Sequence, residues 1–258
     1  MHTPYLAFSR VAKRFDAIEV VAPTFDLEVA RNEFVVFLGP SGCGKTTLMR
    51  MVGGLDQPSS GEILLEGVPV GPPDRRRGMV FQSYSSFPWL TVAENVEFGM
   101  KYRRDLSHDE KLARRDRYLD LVGLYEFSDA YPNRVSGGMR QRVAIARTLA
   151  AGSDVLLMDE PFGALDAQRR ERLQVELRNI QKRDAKTVIF VTHDVEEAVF
   201  LADRVIVFSR RPARVLSEID VTERLGADRP LELRDSVPFF ELRNEILRLL
   251  RQTGADEE

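Results

Sequence analysis

A glycine-rich segment between an apolar run and a helix-like run constrains the fold of this chain more than any other feature. Residues 39–47 are Gly-Pro-Ser-Gly-Cys-Gly-Lys-Thr-Thr and satisfy the pattern G-x-x-x-x-G-K-S/T. Residues 34–38 before them are all apolar, as in a strand covered on both faces. Glycines let consecutive N–H groups turn inward onto phosphate oxygens, beside the positive end of the following helix. The segment therefore predicts a phosphate-binding loop that follows a buried strand.

The side chains of this loop predict a nucleotide site that uses Mg²⁺. Lys45 can reach the β- and γ-phosphates of ATP, and the Thr46 hydroxyl can ligate Mg²⁺. Cys43, the single cysteine, is predicted to be a small side chain that fits between two glycines, and a redox-sensitive thiol is the alternative. The predicted ATP-binding residues of the loop are Gly39, Pro40, Ser41, Gly42, Cys43, Gly44, Lys45, Thr46 and Thr47.

Apolar runs elsewhere in the chain extend this strand into a sheet. Residues 155–158, 187–192 and 204–208 are similar runs, and helical patterns such as that of Leu173 and Leu177 lie between them. Strands that alternate with helices predict an α/β core with a largely parallel sheet. The first 30 residues alternate polar and apolar side chains, which adds half-buried antiparallel strands to the prediction.

The middle of the chain shows helical patterns without a strong strand pattern. Thr91 and Ser107 each begin a capping box, in which a hydroxyl and a carboxylate accept hydrogen bonds from opposing backbone N–H groups. Towards the end, Phe239 and Leu242 begin an amphipathic helix, followed by a frayed acidic tail at 254–258. We expect a single domain over 1–258, with a β and nucleotide-binding core at about 1–90 and 151–215, an inserted helical subdomain at about 91–150 and a C-terminal extension at about 216–258.

The charge and cysteine content exclude several classes of protein. Lys plus Arg (37) nearly balance Asp plus Glu (40), which argues against a nucleic-acid partner. One cysteine allows no internal disulfide and indicates a reducing compartment. Neither a signal peptide nor an apolar span is visible, so we expect a cytosolic chain that reaches a membrane only through a partner. The seven basic and four acidic residues of 101–117 predict a solvated helix face, with attraction to anionic headgroups as the alternative.

An acidic pair, Asp159 and Glu160, follows the apolar run at 155–158. In a parallel sheet, the carboxyl end of this strand lies at the same edge as the phosphate-binding loop. Asp159 is therefore predicted to ligate Mg²⁺, and Glu160 to polarise the attacking water as a general base. A solvated loop after a strand is the alternative interpretation.

With these motifs in order, the sequence resembles the nucleotide-binding subunits of ATP-binding cassette (ABC) transporters over roughly residues 5–210. The resemblance implies hydrolysis of ATP by an α/β P-loop NTPase core that has an antiparallel β subdomain and an inserted helical subdomain. It also implies that Gln82 contacts Mg²⁺ or the attacking water, that His193 contacts the γ-phosphate and that Phe15 stacks on adenine. Asp166 matches the aspartate loop, which lies at the dimer interface in this family.

Residues 135–142, Val-Ser-Gly-Gly-Met-Arg-Gln-Arg, match the signature motif of the family. This motif opens a helix and offers a second anion-receptive N-terminus that lacks a lysine. In the family it closes over ATP bound to a second copy, which implies a homodimer. Met139 stands where the family has glutamine, and a thioether does not replace the hydrogen bonds of an amide. The residues expected to contact the second copy's ATP are Ser136, Gly137, Gly138 and Met139.

Three segments, at 87–92, 136–142 and 161–166, resemble more narrowly the importers of nitrate, sulfonates and taurine. This resemblance implies two permease subunits, an extracytoplasmic solute-binding protein contacted indirectly, no nucleic acid, and a peripheral position on the cytoplasmic face of a bacterial inner membrane. Phe87 and Trp89 would then anchor a permease helix, and a core tryptophan is the alternative. The alternative function is a non-transport ABC ATPase that acts on a soluble partner.

Overall fold

The computed structural model describes residues 4–83 and 86–252, and the chain divides into two compact units. One unit comprises Met1–Pro73 with Gln181–Glu258, and the other comprises Asp74–Ile180. The acidic tail at 254–258 lies outside the described residues. In chain order the strands and helices are β1 Leu6–Phe15, β2 Ile18–Val29, β3 Phe34–Leu38, α1 Lys45–Val52, β4 Ser60–Leu65, β5 Val68–Pro69, β6 Arg77–Val80, α2 Val92–Phe98, α3 His108–Leu121, α4 Gly137–Ala151, β7 Val155–Asp159, α5 Ala167–Arg183, β8 Thr187–Thr192, α6 Val195–Leu201, β9 Arg204–Phe208, β10 Val215–Asp220, α7 Val221–Leu225 and α8 Val237–Gln252.

The first unit confirms the predicted combination of antiparallel and parallel strands. Strands β2, β1, β4 and β5 form an antiparallel sheet in that order. Strand β3 pairs in parallel with both β8 and β9. Every residue of β3 and β8 is buried, which is why β3 and the centre of β8 are apolar. Strands β3, β8 and β9 begin and end at the predicted residues.

The C-terminal segment of the first unit begins with β10, which is a strand of the same sheet as β9. Strand β10 pairs with β9 in antiparallel fashion, which the expected extension from about residue 216 did not include. Helix α8 then buries Phe239, Leu242 and Ile246 and packs on α6. Among the helices of residues 4–83 and 86–252, none is long and apolar enough to cross a lipid bilayer.

The second unit contains the parallel strands β6 and β7 and the mutually packed helices α2, α3 and α4. Both predicted capping boxes are present, at Thr91 with Glu94 and at Ser107 with Glu110. Strand β6 was not predicted, because its sequence Arg-Gly-Met-Val contains no long apolar run.

Two arginines of the basic stretch at 101–117 close the C-terminal end of α4. Arg103 Nη1 donates to the Ala151 carbonyl at 2.9 Å, and Arg114 Nε donates to the Ala150 carbonyl at 2.7 Å. Cations at the last carbonyls of a helix satisfy orphan acceptors and complement the helix dipole. The prediction of a solvated face is therefore wrong for these two side chains.

Candidate active site

The phosphate-binding loop, residues 39–47, connects the end of β3 to the start of α1. Gly44 is the N-cap of α1 with φ 118°, and no side chain of the described residues caps this helix. A Cβ at Gly44 would lie 2.9 Å from the Val20 carbonyl oxygen, so the position requires glycine. N–H groups at the start of a helix that lack a side-chain cap are the donors that an anion needs. The loop geometry therefore suits a phosphate group.

Lys45 lies within the loop and is only 6% exposed. Its ammonium group donates to the carbonyl oxygens of Gly39 and Pro40 at 2.8 and 2.7 Å. Lys45 Nζ also lies 3.6 Å from Cys43 Sγ, and Cys43 is buried. A redox sensor needs an accessible thiol, so the geometry favours a packed Cys43 over the oxidation alternative. Thr46, in contrast, is exposed at the start of α1.

His193 leaves the sheet of the first unit at the same edge as the phosphate-binding loop. Strands β3 and β8 are parallel with Leu38 opposite Thr192, so the residue after each strand lies at one edge. The His193 side chain is exposed. The Thr192 hydroxyl oxygen accepts a hydrogen bond from the Asp194 N–H at 3.0 Å, which holds the turn around His193.

Phe15 is the last residue of β1 and is 44% exposed. Lys13 Nζ lies over its ring, 4.6 Å from the centroid. Tyr5 and Phe8, the neighbouring aromatic residues, belong to the buried core. An exposed ring can stack on a planar base, so Phe15 is the aromatic residue of this group that suits adenine.

The second unit brings Gln82 and Glu160 into contact. Strands β6 and β7 are parallel with Val80 opposite Met158, so the residues two positions further along leave the strands side by side. Gln82 Nε2 donates to Glu160 Oε2 at 3.2 Å. Asp159, the last residue of β7, is buried. A carboxylate beside an amide can orient a water molecule and accept its proton.

The backbone of Glu160 adopts the left-handed region, with φ 45°. This conformation costs a residue other than glycine about 1–2 kcal/mol. Such strained residues cluster at functional sites, where the fold holds a side chain in a direction that an ordinary turn would not give it. The turn after β7 therefore directs the Glu160 carboxylate at some expense of stability.

The signature turn begins α4 and packs closely on the loop that leads to Asp166. Ser136 is the N-cap, and its Oγ accepts a hydrogen bond from the Met139 N–H at 3.2 Å. A Cβ on Gly138 would lie 2.7 Å from the Ala164 carbonyl oxygen, so this contact requires glycine. The backbone N–H of Met139 is thus already used inside the turn, while its side chain is half-buried.

Asp166 directly precedes α5 and has an exposed carboxylate. Its Oδ1 accepts a hydrogen bond from the Arg169 N–H at 3.0 Å, and Oδ2 lies 3.3 Å from Arg169 Nη1. The donation by the Arg169 backbone, together with the charge of its guanidinium, lowers the pKa of Asp166. Asp166 is therefore negatively charged at neutral pH.

Trp89 is 69% exposed, so the alternative of a core tryptophan is wrong. The Phe87 ring contacts the indole with 5.5 Å between centroids and also contacts Phe98 with 4.5 Å between centroids. The Arg147 guanidinium lies 5.1 Å from the Phe87 ring. A loop without helical or strand periodicity offers no pattern that distinguishes a buried from an exposed tryptophan.

Helix α4 makes two polar contacts with the segment before Gln82 that the sequence reasoning missed. Gln141 Nε2 donates to the Phe81 carbonyl at 3.4 Å, and Thr148 Oγ1 donates to the Met79 carbonyl at 3.3 Å. The donors lie seven residues apart, which is two helical turns, and the acceptors lie two residues apart along one edge of the β6 segment. Polar side chains at positions i and i+7 of an otherwise apolar helix face are the signal that could have revealed this packing.

The predicted site residues are divided between the two units. The first unit holds Phe15, the phosphate-binding loop at 39–47 and His193, and the second holds Gln82, Ser136, Gly137, Gly138, Met139, Asp159, Glu160 and Asp166.

Comparisons with known proteins agree on one family. The family described as "ABC transporter" matches residues 23–163. A nitrate import ATP-binding protein, NrtD of Synechocystis sp., is 45% identical over 261 residues, which cover 100% of this chain and 98% of that protein. An uncharacterized ABC transporter ATP-binding protein of Methanocaldococcus jannaschii is 49% identical over 88% of this chain and 82% of its own length. The solved dimer of an ATP-binding cassette in a post-hydrolysis state, bound to ADP and Pi, superimposes with a TM-score of 0.75 at 33% identity and covers 84% of this chain and 98% of that one.

Proposed function

This chain belongs to the ABC transporter family as an ATP-binding ATPase subunit, and we propose that it drives the import of a small solute of the nitrate, sulfonate or taurine kind through separate permease subunits. The observation that carries the proposal is the similarity to a nitrate import ATP-binding protein along the whole chain. The similarity supports the same division of labour, with the motor on this chain and the path through the membrane on other proteins.

ATP binding follows from the loop at 39–47 and from Phe15. Lys45, which donates to two loop carbonyls, exchanges these acceptors for the β- and γ-phosphate oxygens, where a charge-assisted bond is stronger. Phe15 stacks on the adenine. Mg²⁺ in proteins is bound by oxygen ligands. Such oxygen atoms would come from the Thr46 hydroxyl, the Asp159 carboxylate and the Gln82 amide. Mg²⁺, when bound, neutralises charge on the β- and γ-phosphates.

Hydrolysis uses the pair at the ends of β6 and β7. Glu160 accepts a proton from the attacking water, and the Gln82 amide, 3.2 Å from that carboxylate, orients the water. His193 donates to the γ-phosphate, while Lys45 and the loop N–H groups stabilise the charge that develops in the transition state.

Two copies of the chain assemble around two ATP molecules. The signature residues Ser136, Gly137, Gly138 and Met139 face the ATP of the second copy, and Asp166 lies at the contact between the copies. The dimeric ATP-binding cassette among the structural neighbours supports this arrangement. The Met139 side chain contributes packing there, because a thioether does not replace the hydrogen bonds of an amide.

The permease contact forms at Trp89. The exposed indole of Trp89, which packs against Phe87, is suitable as the anchor of a protein interface. Through this contact the chain sits on the cytoplasmic face of the membrane, and the extracytoplasmic solute-binding protein is coupled only through the permease.

Co-expression with the permease and solute-binding protein encoded beside it tests the proposal. We expect the chain to co-purify with two permease subunits and its ATPase rate in liposomes to rise when the binding protein carries its solute. Nitrate, taurine and an alkanesulfonate are the ligands to screen on the binding protein. Trp89→Ala should abolish co-purification, whereas Tyr102→Ala, which removes another exposed aromatic side chain of the same unit, is the matched control. Recovery of soluble factors alone would favour a non-transport ATPase.

A further inference from the structure

We infer that Thr192 and Glu197 form a positioning pair for His193, so that Glu197 serves hydrolysis through this histidine without touching the nucleotide. The inference rests on the proposed function, because it takes His193 as the residue that contacts the γ-phosphate. Sequence reasoning assigned no role to either member of the pair.

Hydrogen bonds hold the residue on each side of His193. The Thr192 hydroxyl donates a hydrogen bond to Glu197 Oε2 at 2.7 Å. The Thr192 hydroxyl oxygen also accepts a hydrogen bond from the Asp194 N–H at 3.0 Å. His193 therefore lies between Thr192, which is hydrogen-bonded to Glu197 of α6, and Asp194, whose backbone N–H is hydrogen-bonded to Thr192. These two hydrogen bonds, the His193 bracket, hold the backbone from which the imidazole extends.

Both members of the pair are buried, with Thr192 2% and Glu197 7% exposed. A buried carboxylate is unfavourable unless hydrogen bonds compensate for its lost hydration. Helix α6 does not need this carboxylate as a cap, because Asp194 Oδ1 already accepts the N–H groups of Glu196 and Glu197 at 2.8 and 3.2 Å. The carboxylate of Glu197 therefore serves the hydrogen bond with Thr192 and is not needed to cap the helix.

The rate of hydrolysis should depend on these hydrogen bonds because the imidazole of His193 is exposed. The imidazole extends from the backbone of residues 192–194, so the torsions of that backbone set the region that the exposed ring can reach. A displacement of about 1 Å in a catalytic group can cost roughly 100-fold in rate. Opening the bracket should thus lower kcat and leave ATP affinity nearly unchanged.

Three substitutions separate positioning from general stability. Thr192→Val removes the hydroxyl at nearly constant volume, and Glu197→Met removes the carboxylate at similar length. Both should lower kcat at least about 10-fold while the Kd for ATP changes less than about 3-fold. Glu197→Gln retains an oxygen that accepts from Thr192 and should stay within about 3-fold of wild type. The control is Glu196→Gln, on the same helix, whose exposed carboxylate pairs with Arg243 at 2.8 Å.

The combination with His193→Ala identifies the route of the effect. If Glu197 acts through His193, Thr192→Val should cause no further loss at the residual rate of His193→Ala. A full additional loss in that background would overturn the inference. The chain has three histidines, so the ring NMR signals of His193 can be assigned; they should shift in Thr192→Val and Glu197→Met but not in Glu196→Gln. Unmoved signals in both variants would also overturn it.

The outcomes distinguish this inference from the proposed function. If His193→Ala hydrolyses ATP at the wild-type rate, the proposed contact between His193 and the γ-phosphate fails. If His193→Ala is impaired but both Thr192→Val and Glu197→Met are fully active, only the positioning pair fails. Should Thr192→Val not fold, the contrast between Glu197→Met and Glu197→Gln decides the question.

Discussion

Replacement of Glu160 by glycine and by alanine should separate the backbone cost of this position from its chemistry. Both changes remove the carboxylate and its 3.2 Å contact with Gln82, but only glycine relieves the left-handed φ of 45°. The relief amounts to about 1–2 kcal/mol. The flexibility that glycine adds to the unfolded chain subtracts about 0.5–1 kcal/mol. Glu160→Gly should therefore be more stable than Glu160→Ala by about 0–1.5 kcal/mol, with a central value of about 0.75 kcal/mol or roughly 2–3 °C in Tm.

Glu160→Gln should isolate the proton transfer. Its amide oxygen still accepts from Gln82 Nε2, and its backbone keeps the same strain, so the free energy of unfolding should stay within about 0.5 kcal/mol of wild type. A neutral amide cannot take a proton from water, and loss of a general base lowers the rate by about 10²–10⁴-fold. ATP should still bind and hold a dimer together.

Thermal unfolding without nucleotide, phosphate release, and size-exclusion chromatography with ATP measure these three effects separately. If Glu160→Ala were more stable than Glu160→Gly, residue 160 would not occupy the left-handed region. If Glu160→Gln hydrolysed ATP at the wild-type rate, Glu160 would not be the general base. A stable, inactive Glu160→Gln that stays monomeric with ATP would contradict the proposed dimer and leave the chemistry intact.

Three further measurements test other parts of the molecule. Lys45→Ala should lose binding of a fluorescent ATP analogue, and unchanged affinity would contradict the role of the loop. Arg114→Ala, which removes donation to the last carbonyls of α4, should lower stability in urea by about 1–2 kcal/mol, and an unchanged midpoint would show that the cap contributes nothing. The hydrogen bond from Arg103 lowers the pKa of Asp105 from 3.8 to about 2. The ion pair therefore stabilises the fold above about pH 4 and is lost as the pH falls towards 2, so the Tm difference between wild type and Asp105→Asn should vanish over that range.

Burial explains which strands the sequence could place. Strands β3, β8 and β9 are largely buried and each contains a run of at least four apolar residues. Strand β6 begins with arginine and glycine, and β10 alternates exposed with less exposed residues, so neither stands out from a loop. The phosphate-binding loop and His193 follow the predictable strands β3 and β8, which is why this part of the site was more visible in the sequence than the edges of the sheets.

Two side-chain contacts at strand ends could not be foreseen from the sequence. Gln82 and Glu160 follow paired parallel strands by the same number of residues, but this pairing is known only once β6 is seen to be a strand. The bond from Thr192 to Glu197 joins residues five apart across a strand end, a turn and a helix start. No single helix or strand periodicity relates such positions, and only the folded turn brings them together.

The turns at Glu160 and His193 both direct a functional side chain, but different interactions hold the two turns in place. A strand fixes how far along the edge of the sheet a functional residue lies, but the turn after it fixes where the side chain points. The Glu160 turn directs its carboxylate by a strained backbone, whereas the His193 turn is held by buried hydrogen bonds. The effects of substitutions should therefore differ: glycine at 160 raises stability relative to alanine but abolishes hydrolysis, while Thr192→Val and Glu197→Met lower both stability and hydrolysis. Selection for stability alone would retain the His193 bracket and favour glycine at 160, so only a measurement of ATP hydrolysis reveals what the strained position supplies.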